Sequence, residues 1–311
     1  MNIICPSCGN EIREYNFKRK YLYKTLNKEY KLYHCDKCDL EFWTPLEFVK
    51  EIYENEEVWS YEEFHQGLIE LAEDHLFFLD SYKGKASGLK LLDIGCGNGS
   101  FIYKAKELGF DVYGIDIDSK SIQVASEKLG LKNVYNMSLD EFVEYAKKEG
   151  LKFDAITFFQ VLEHQTDPSG FIQKVKELLS SGGKVVGSVP NRDRLFAELS
   201  RSGRNYDFPP HHFMWFNKKA LENIFLINSF KVRVSKLKPS FKRIIKFMFD
   251  LLYDRTRLGI FKLSVSERFF SNSVIQNILI LFYSPIALIL FGIHTSGLFE
   301  RYNLYFEASG E

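Results

Sequence analysis

Between Gly88 and Pro190 the apolar residues change spacing in a regular alternation. Short unbroken apolar runs, LKLLDI, DVYGIDI, KNVYNM, FDAITFF and KVVGSVP, predict strands, because a strand buried on both faces has no polar side to show. Between them, FIYKAKELGF, SKSIQVASEKLG and PSGFIQKVKELLSSGG repeat apolar positions three and four apart, the spacing of one buried helix face. Gly109 and Gly130 stand where the first two helices end, since glycine takes the left-handed C-terminal position without steric cost. Strands alternating with helices of this length predict a parallel sheet covered on both faces.

The pattern differs on either side of that stretch. Before it lies an aromatic and acidic run, LEFVKEIYENEEVWSYEEFHQGLIELAEDHLFFLDSYKGKASG, with helical texture. Further upstream, EIREYNFKRKYLYKTLNKEYKLYH is rich in Tyr and Lys and predicts two short strands. After residue 230 the chain becomes strongly basic, with ten Lys and Arg against two Asp over 231–262. Phe269–Phe299 then contains no charged side chain and includes NILILFYSPIALILFGI. The final NLYFEAS reads as a strand again.

Cysteines frame the N-terminal strands. Cys5, Cys8, Cys35 and Cys38 form two CxxC pairs separated by 26 residues. Four thiolates at this spacing predict a zinc ribbon, and a filled tetrahedral shell makes the ion structural rather than catalytic. The fifth cysteine, Cys96, is left over, as expected in a reducing cytoplasm. The start, MNIICPSCGN, has neither the basic nor the apolar region of a secretory signal. The 41 basic side chains balance 41 acidic ones, which argues against a nucleic-acid partner held by bulk charge.

The candidate chemistry starts at LLDIGCGNGSF, where Gly95, Gly97 and Gly99 follow the first strand of the alternating stretch. Glycines let a loop pass close under a ligand, and the helix behind it presents free N–H groups. Asp116 ends the next strand, 23 positions after Asp93, where a carboxylate can accept both hydroxyls of a ribose. NAD and S-adenosylmethionine both carry that diol. The dinucleotide fingerprint G-x-G-x-x-G breaks at Ser100. Asp93 at the strand end would repel a pyrophosphate, yet can help hold a zwitterionic methionine.

The D-x-G-x-G-x-G segment resembles the first motif of class I S-adenosylmethionine-dependent methyltransferases. FDAITFFQVLEHQTDPSGFIQKVKELLSSGGKVVGSVPN and PPHHFMWFNKKALENIF resemble the later segments of the UbiG-like small-molecule and glycan group. The resemblance covers roughly 88–235 and implies a Rossmann-like sheet of seven mostly parallel strands. It places Gly95, Cys96, Gly97, Asn98 and Gly99 beside the methionine part, Asp116 at the ribose and Ile117 at the adenine. Ser138 and Leu139 would flank the adenine amine, although relatives often carry an acid there and the first acid here is Asp140. Gln160, Val161 and the residues to His164 would close over the sulfonium. Tyr53, Trp59 and Tyr61 match the tyrosine-bearing cover seen in relatives.

Transfer from a sulfonium needs an aligned nucleophile, and a hydroxyl acceptor gains from a base such as histidine. His164, His211 and His212 are the candidates, with one of the PPHH pair as base and the other as support. Tyr206, Phe208, Trp215 and Phe216 form either a pocket wall or core. Metal binding by the same histidines ranks below this, because no carboxylate trio accompanies them. The organisation expected is a ribbon at 1–45, a helical lead-in or cofactor cover at 46–86 and a Rossmann-like core at 87–240. A basic then apolar helical insertion follows at 241–299, and the last strand at 300–311.

The insertion has three placements: in the plane of an anionic membrane surface, buried on the domain or in a homodimer, or across a membrane. A single crossing would strand the last β-segment on the wrong side, and Pro285 bends the run. The sequence therefore predicts a zinc-bearing S-adenosylmethionine-dependent methyltransferase, cytoplasmic or peripheral on the inner face of the membrane. Its acceptor is expected to be a hydroxyl of a small molecule or glycan, such as a lipid-linked surface-polysaccharide precursor. An RNA methyltransferase gripping RNA through the ribbon is the competing reading, disfavoured by neutral charge and by the lack of an N-P-P-[YF] loop.

Overall fold

The computed structural model describes residues 3–47, 65, 67, 69–194, 197–198, 201, 207–236 and 303–310. Tyr53, Trp59, Tyr61, Tyr206 and the expected insertion at 241–299 lie outside the described residues. The chain divides into two units, and the one considered below comprises Met1–Arg192, Tyr206–Ser235 and Asn303–Glu311.

Its centre is a seven-stranded sheet. The strands are β6 (Lys90–Ile94), β7 (Asp111–Asp116), β8 (Val134–Asn136), β9 (Phe153–Phe159), β10 (Leu179–Pro190), β12 (Phe230–Lys236) and β13 (Asn303–Gly310). Their order across the sheet is β12-β13-β10-β9-β6-β7-β8. β6 pairs in parallel with β7 and β9, β7 with β8, and β9 with β10, whereas β13 runs antiparallel to β10. The chain leaves β6 toward β7 and β8, then returns to the other side for β9 and β10. That reversal opens a crevice at the carboxyl ends of β6 and β9, where open α/β sheets bind ligands.

The helices follow from local signals. In α2 (Ser100–Glu107), Phe101, Ile102 and Ala105 form the buried face, while Lys104 and Lys106 sit near the negative end of the helix dipole. α3 (Ser119–Gln123) continues into a π turn over Val124–Lys128. α4 (Leu139–Glu149) opens on a capping box between Ser138 and Glu141 and closes on Gly150 in the left-handed conformation. α5 (Pro168–Leu178) is capped by Asp167, whose side chain accepts from the Gly170 N–H. This helix stops at Leu178, whereas its apolar pattern extended it through Gly183. Ser180 donates instead to Asp154 at 3.0 Å and Gly182 takes φ +76°, so the segment joins β10 with a register shift between Leu179 and Lys184.

The cysteine pairs flank a second sheet. β1 (Ile3–Ile4) and β2 (Glu11–Ile12) form a small hairpin beside the first pair. β3 (Phe17–Tyr23), β4 (Lys28–His34) and β5 (Glu41–Thr44) run antiparallel, and the fourth strand is β11 (Met214–Trp215), from far along the chain. The next residue, Phe216, bridges to Asn191 just past β10. Residues 213–217 therefore stitch the cysteine-flanked sheet to the rim of the large one.

Phe208, Trp215 and Phe216, candidate pocket walls in the sequence, are buried at 8%, 2% and 0% exposure. Tyr21 stacks on Phe208 at 4.6 Å, and Trp43 meets Trp215 edge-on at 5.3 Å. These aromatics are core between the two sheets. No helix among the described residues is long and apolar enough to cross a membrane.

Candidate functional site

The glycine loop sits at the carboxyl end of β6. Gly95, Gly97 and Gly99 all have positive φ, at +76°, +52° and +78°. A Cβ on Gly95 would stand 2.6 Å from Val161 Cγ2, and one on Gly99 2.6 Å from Leu131 Cδ1. Both conformation and space therefore demand glycine at these two positions. The Gly95 and Cys96 N–H groups donate to the Ile115 carbonyl at 2.8 and 3.0 Å, tying the loop to β7.

Asp116 closes the loop. Its Oδ2 accepts from the Gly97 N–H and its Oδ1 from the Asp118 N–H, each at 2.8 Å. Burial pushes its carboxyl above the ordinary range, against the pull of these donors. Ile117 beside it is 38% exposed, an apolar surface at the edge of the crevice. Burial likewise works against the charge on Asp118, but hydrogen bonds from Ser121 and His65 prevail and hold its carboxyl low.

Several predicted contacts have other engagements. Asp93 is 3% exposed and its Oδ1 accepts from Thr157 at 2.7 Å, so its carboxylate lies beneath the loop, between β6 and β9. Burial raises its pKa to about 8. The Asn98 amide donates to the Gly67 carbonyl, and its Oδ1 accepts from Ser100 N and Oγ at 3.1 and 2.7 Å. The buried Cys96 thiol abuts Gly114 and is pushed well up by burial. Ser138 and Glu141 are occupied in the cap of α4, next to Leu139, while Asp140 pairs with Lys174 at 2.5 Å.

Part of the lead-in lies against this loop. His65 Nε2 is 2.9 Å from Asp118 Oδ2, Lys128 donates to the His65 carbonyl at 3.1 Å, and the Ile69 N–H donates to Ser100 Oγ at 3.1 Å. α1 (Glu73–Ser81) follows and adds two residues that the motifs did not mark. Asp74, 2% exposed, accepts from Ser188 Oγ at 2.5 Å. Ser188 in turn accepts from Gln160 Nε2 at 2.8 Å, and Gln160 holds φ +56° while its N–H donates to the Ser188 carbonyl at 2.8 Å. His75 packs on Phe101 and Phe159 at 5.0 and 4.4 Å, and burial lowers its pKa.

The turn after β9 carries the second cluster. Glu163 is 1% exposed, and both of its carboxylate oxygens lack a hydrogen-bond partner. Burial raises its pKa to about 7. His164 Nδ1 is 2.7 Å from the His211 carbonyl, and the His164 and His212 rings meet edge-on at 4.7 Å. His212 Nδ1 is 3.0 Å from Asp207 Oδ1. Burial, followed by the His212 charge, lowers His164 to about 3 and His211 to about 4. One ligand atom from each of Glu163, His164 and His212 lies within 4.8 Å of the others. His211 enters this arrangement through its backbone. Asp207 had one sequence signal, an acid just before PPHH, and Asp74 had none.

The cysteines are gathered as their spacing predicts. Cys5 Sγ is 3.5 Å from Cys38 Sγ and Cys8 Sγ is 3.6 Å from Cys35 Sγ, with all four sulfurs within 4.8 Å. A tetrahedral zinc shell with bonds of about 2.3 Å sets sulfur separations of about 3.8 Å, so the residues fit the ion. Gly9 and Asp39 take positive φ and donate to the Cys5 and Cys35 carbonyls at 3.0 and 2.8 Å, forming one tight turn per pair.

Residues 61–233, more than half of the 311-residue chain, match a family described as a methyltransferase domain. A ubiquinone biosynthesis O-methyltransferase of Cereibacter sphaeroides is 38% identical over 109 residues, 34% of this chain and 43% of that protein. One from Leptothrix cholodnii is 28% identical over 150 residues, 48% of this chain and 64% of that protein. The chain thus spans about half the length of the curated relatives it matches. The solved phosphoethanolamine N-methyltransferase 2 of Haemonchus contortus, in complex with S-adenosyl-L-methionine, superposes with a TM-score of 0.54 at 19% identity. That match covers 93% of this chain and 65% of the other, and it shows a shared fold. The family match, set on a seven-stranded sheet with its glycine loop at the switch point, makes this chain a member of the methyltransferase-domain family, among the class I S-adenosylmethionine-dependent methyltransferases.

Proposed function

We propose that the protein transfers a methyl group from S-adenosylmethionine to a hydroxyl of a small molecule. One contact carries the reading. The glycine loop touches the turn after β9 through Gly95 and Val161, two residues before Glu163. A sulfonium held on that loop would lie beside the turn that carries Glu163 and His164.

The cofactor supplies an already activated methyl group, so the protein's task is alignment and proton management. Asp116 accepts the ribose hydroxyls, Ile117 and Leu139 border the adenine, and Gly95 to Gly99 pass beneath the methionine part. Asp93 and Asn98 act from below, fixing the loop rather than touching the cofactor. Gln160, oriented by Ser188 and Asp74, shapes the wall beside the methyl group. At the acceptor side, the histidine nitrogens and the buried carboxylate of Glu163 draw off or polarise the hydroxyl proton. Cys5, Cys8, Cys35 and Cys38 hold one structural zinc.

The basic stretch 231–262 and the uncharged Phe269–Phe299 support an acceptor met at an anionic membrane surface on the cytoplasmic side, such as a lipid-linked glycan precursor. The test is formation of S-adenosylhomocysteine with labelled S-adenosylmethionine and separate pools of hydroxylated small molecules, glycolipids and RNA. Label entering a hydroxylated small molecule or glycolipid supports the reading. Label entering RNA alone overturns it.

A further inference from the structure

Asp74 is a buried acid without a matching cation. It is 2% exposed and stands in the first turn of α1, where the helix dipole favours a negative group. Its Oδ1 accepts from the His75 N–H at 3.0 Å and its Oδ2 from Ser188 Oγ at 2.5 Å. These bonds hold the carboxylate in place but bring no opposite charge. The only ion-pair geometry it has among the described residues is with His75 Nδ1, 3.9 Å away, and burial of that ring works against a positive charge there. A carboxylate so placed is costly unless a cation comes close.

A chain of hydrogen bonds carries the influence of Asp74 to the crevice. A carboxylate only accepts, so the Ser188 hydroxyl donates to Asp74 and its oxygen accepts from the Gln160 amide N–H at 2.8 Å. Both donors point toward Asp74, which leaves Gln160 Oε1 as the outer end of the chain, an acceptor on a half-buried residue. Hydrogen bonds in series polarise one another, so that oxygen becomes more negative. Gln160 also holds φ +56°, unfavourable for a residue with a side chain, and its N–H is pinned to the Ser188 carbonyl at 2.8 Å. Its neighbours fix its place. Val161 fills the space against Gly95 of the glycine loop, and Phe159 meets Phe101 of α2 at 5.2 Å.

We propose that Asp74, a positioning residue acting through Ser188 and Gln160, makes the cofactor site select the sulfonium of S-adenosylmethionine over the neutral thioether of S-adenosylhomocysteine. The inference rests on the methyl-transfer reading. In transfer the S–CH3 bond breaks as the O–CH3 bond forms, the hydroxyl proton leaves to solvent, and the bonding pair stays on sulfur, which becomes neutral. Attraction between the carboxylate and the cofactor is strong in a water-poor crevice and vanishes with that charge. The spent cofactor is thereby held less firmly than the one that replaces it.

The experiment is calorimetric titration of the full-length wild type, Asp74→Asn, Ser188→Ala and Gln160→Leu, without acceptor. The ligands are S-adenosylmethionine, S-adenosylhomocysteine and sinefungin, which carries an ammonium group where the sulfonium stands. In Asp74→Asn the preference for each cationic ligand over S-adenosylhomocysteine should fall roughly fivefold or more. Affinity for S-adenosylhomocysteine itself should stay within about twofold of the wild type. Ser188→Ala and Gln160→Leu should lower the preference in the same direction. Urea unfolding identifies the variants that fold, and if Asp74→Asn does not, the other two decide by the same criterion. An unchanged preference overturns the proposal, as does equal weakening of all three ligands, which would assign Asp74 to packing or to the ammonium that the ligands share. Binding of none of the three to the wild type would reject the methyl-transfer reading and this inference with it, a result that no change of preference can imitate.

Discussion

Asp93 and Asp116 both end parallel strands, yet their surroundings give them different work. Asp116 faces the crevice and holds the loop through two backbone donors, while Asp93 is sealed between β6 and β9 with Thr157. Burial raises Asp93 from 3.8 to about 8, so the folded chain holds a proton there that the unfolded chain has released. The sign follows: this contribution to stability is complete below the unfolded pKa and is lost as pH rises through about 8. Without cofactor, denaturant midpoints should therefore fall from pH 5 to pH 9. The slope of Asp93→Asn should be shallower by up to ~1.4 kcal/mol per pH unit. An unchanged slope would show that Asp93 is ionised in the fold. The position of Asp116 at the strand end, beside the glycine loop, was legible from the spacing of the two strands. The bonds that Asn98 and Ser138 make to Ser100, Gly67 and Glu141 were not, because short polar side chains beside turns serve caps and ligands equally well.

Among elements, the alternating strands and helices were readable because burial on two faces and on one face leave different spacings. The end of α5 was not, since Ser180–Gly183 continues the helix pattern until a side-chain bond to Asp154 and a positive φ at Gly182 redirect it. The placement of Met214–Trp215 was also hidden, because pairing with Phe42 and Glu41, so far back along the chain, leaves no local mark. That pairing gives the cysteine-flanked sheet a second role. The Trp43 N–H donates to the Phe213 carbonyl at 2.9 Å, while Arg192 and Asn217 hold Asp39, beside Cys38, at 3.0 and 3.1 Å. The Asn223 amide also reaches the Cys38 carbonyl at 3.2 Å. The segment bearing His212 is thus braced by the turn that gathers the cysteines. If those thiolates hold zinc as proposed, stripping it should reduce methyl transfer roughly 10–100-fold through misplacement of the acceptor side. S-adenosylhomocysteine affinity, set on the far side of β6, should change less than about threefold. Equal loss of both would mean that the metal supports the whole fold and not the acceptor side alone.

For the molecule as a whole, charge is neutral overall but uneven, with ten Lys and Arg against two Asp over 231–262 and the uncharged run just beyond it. If these meet a membrane surface, flotation with vesicles should rise with anionic lipid content and fall with salt, because such attraction decays within a Debye length. Replacing 241–299 by a short polar loop should abolish it. Protein that stays detached from anionic vesicles at low salt would point to a soluble acceptor.

The central claim is that the glycine loop and Asp116 hold S-adenosylmethionine. Its most direct measurement is titration calorimetry of S-adenosylhomocysteine against the wild type and Asp116→Ala, with NAD titrated in parallel. Hydrogen bonds to a charged acceptor contribute about 1.5–3 kcal/mol each, so the variant should bind at least roughly tenfold more weakly, and NAD should bind more weakly than S-adenosylhomocysteine to the wild type. Unchanged affinity in the variant, or tighter binding of NAD, would contradict the assignment.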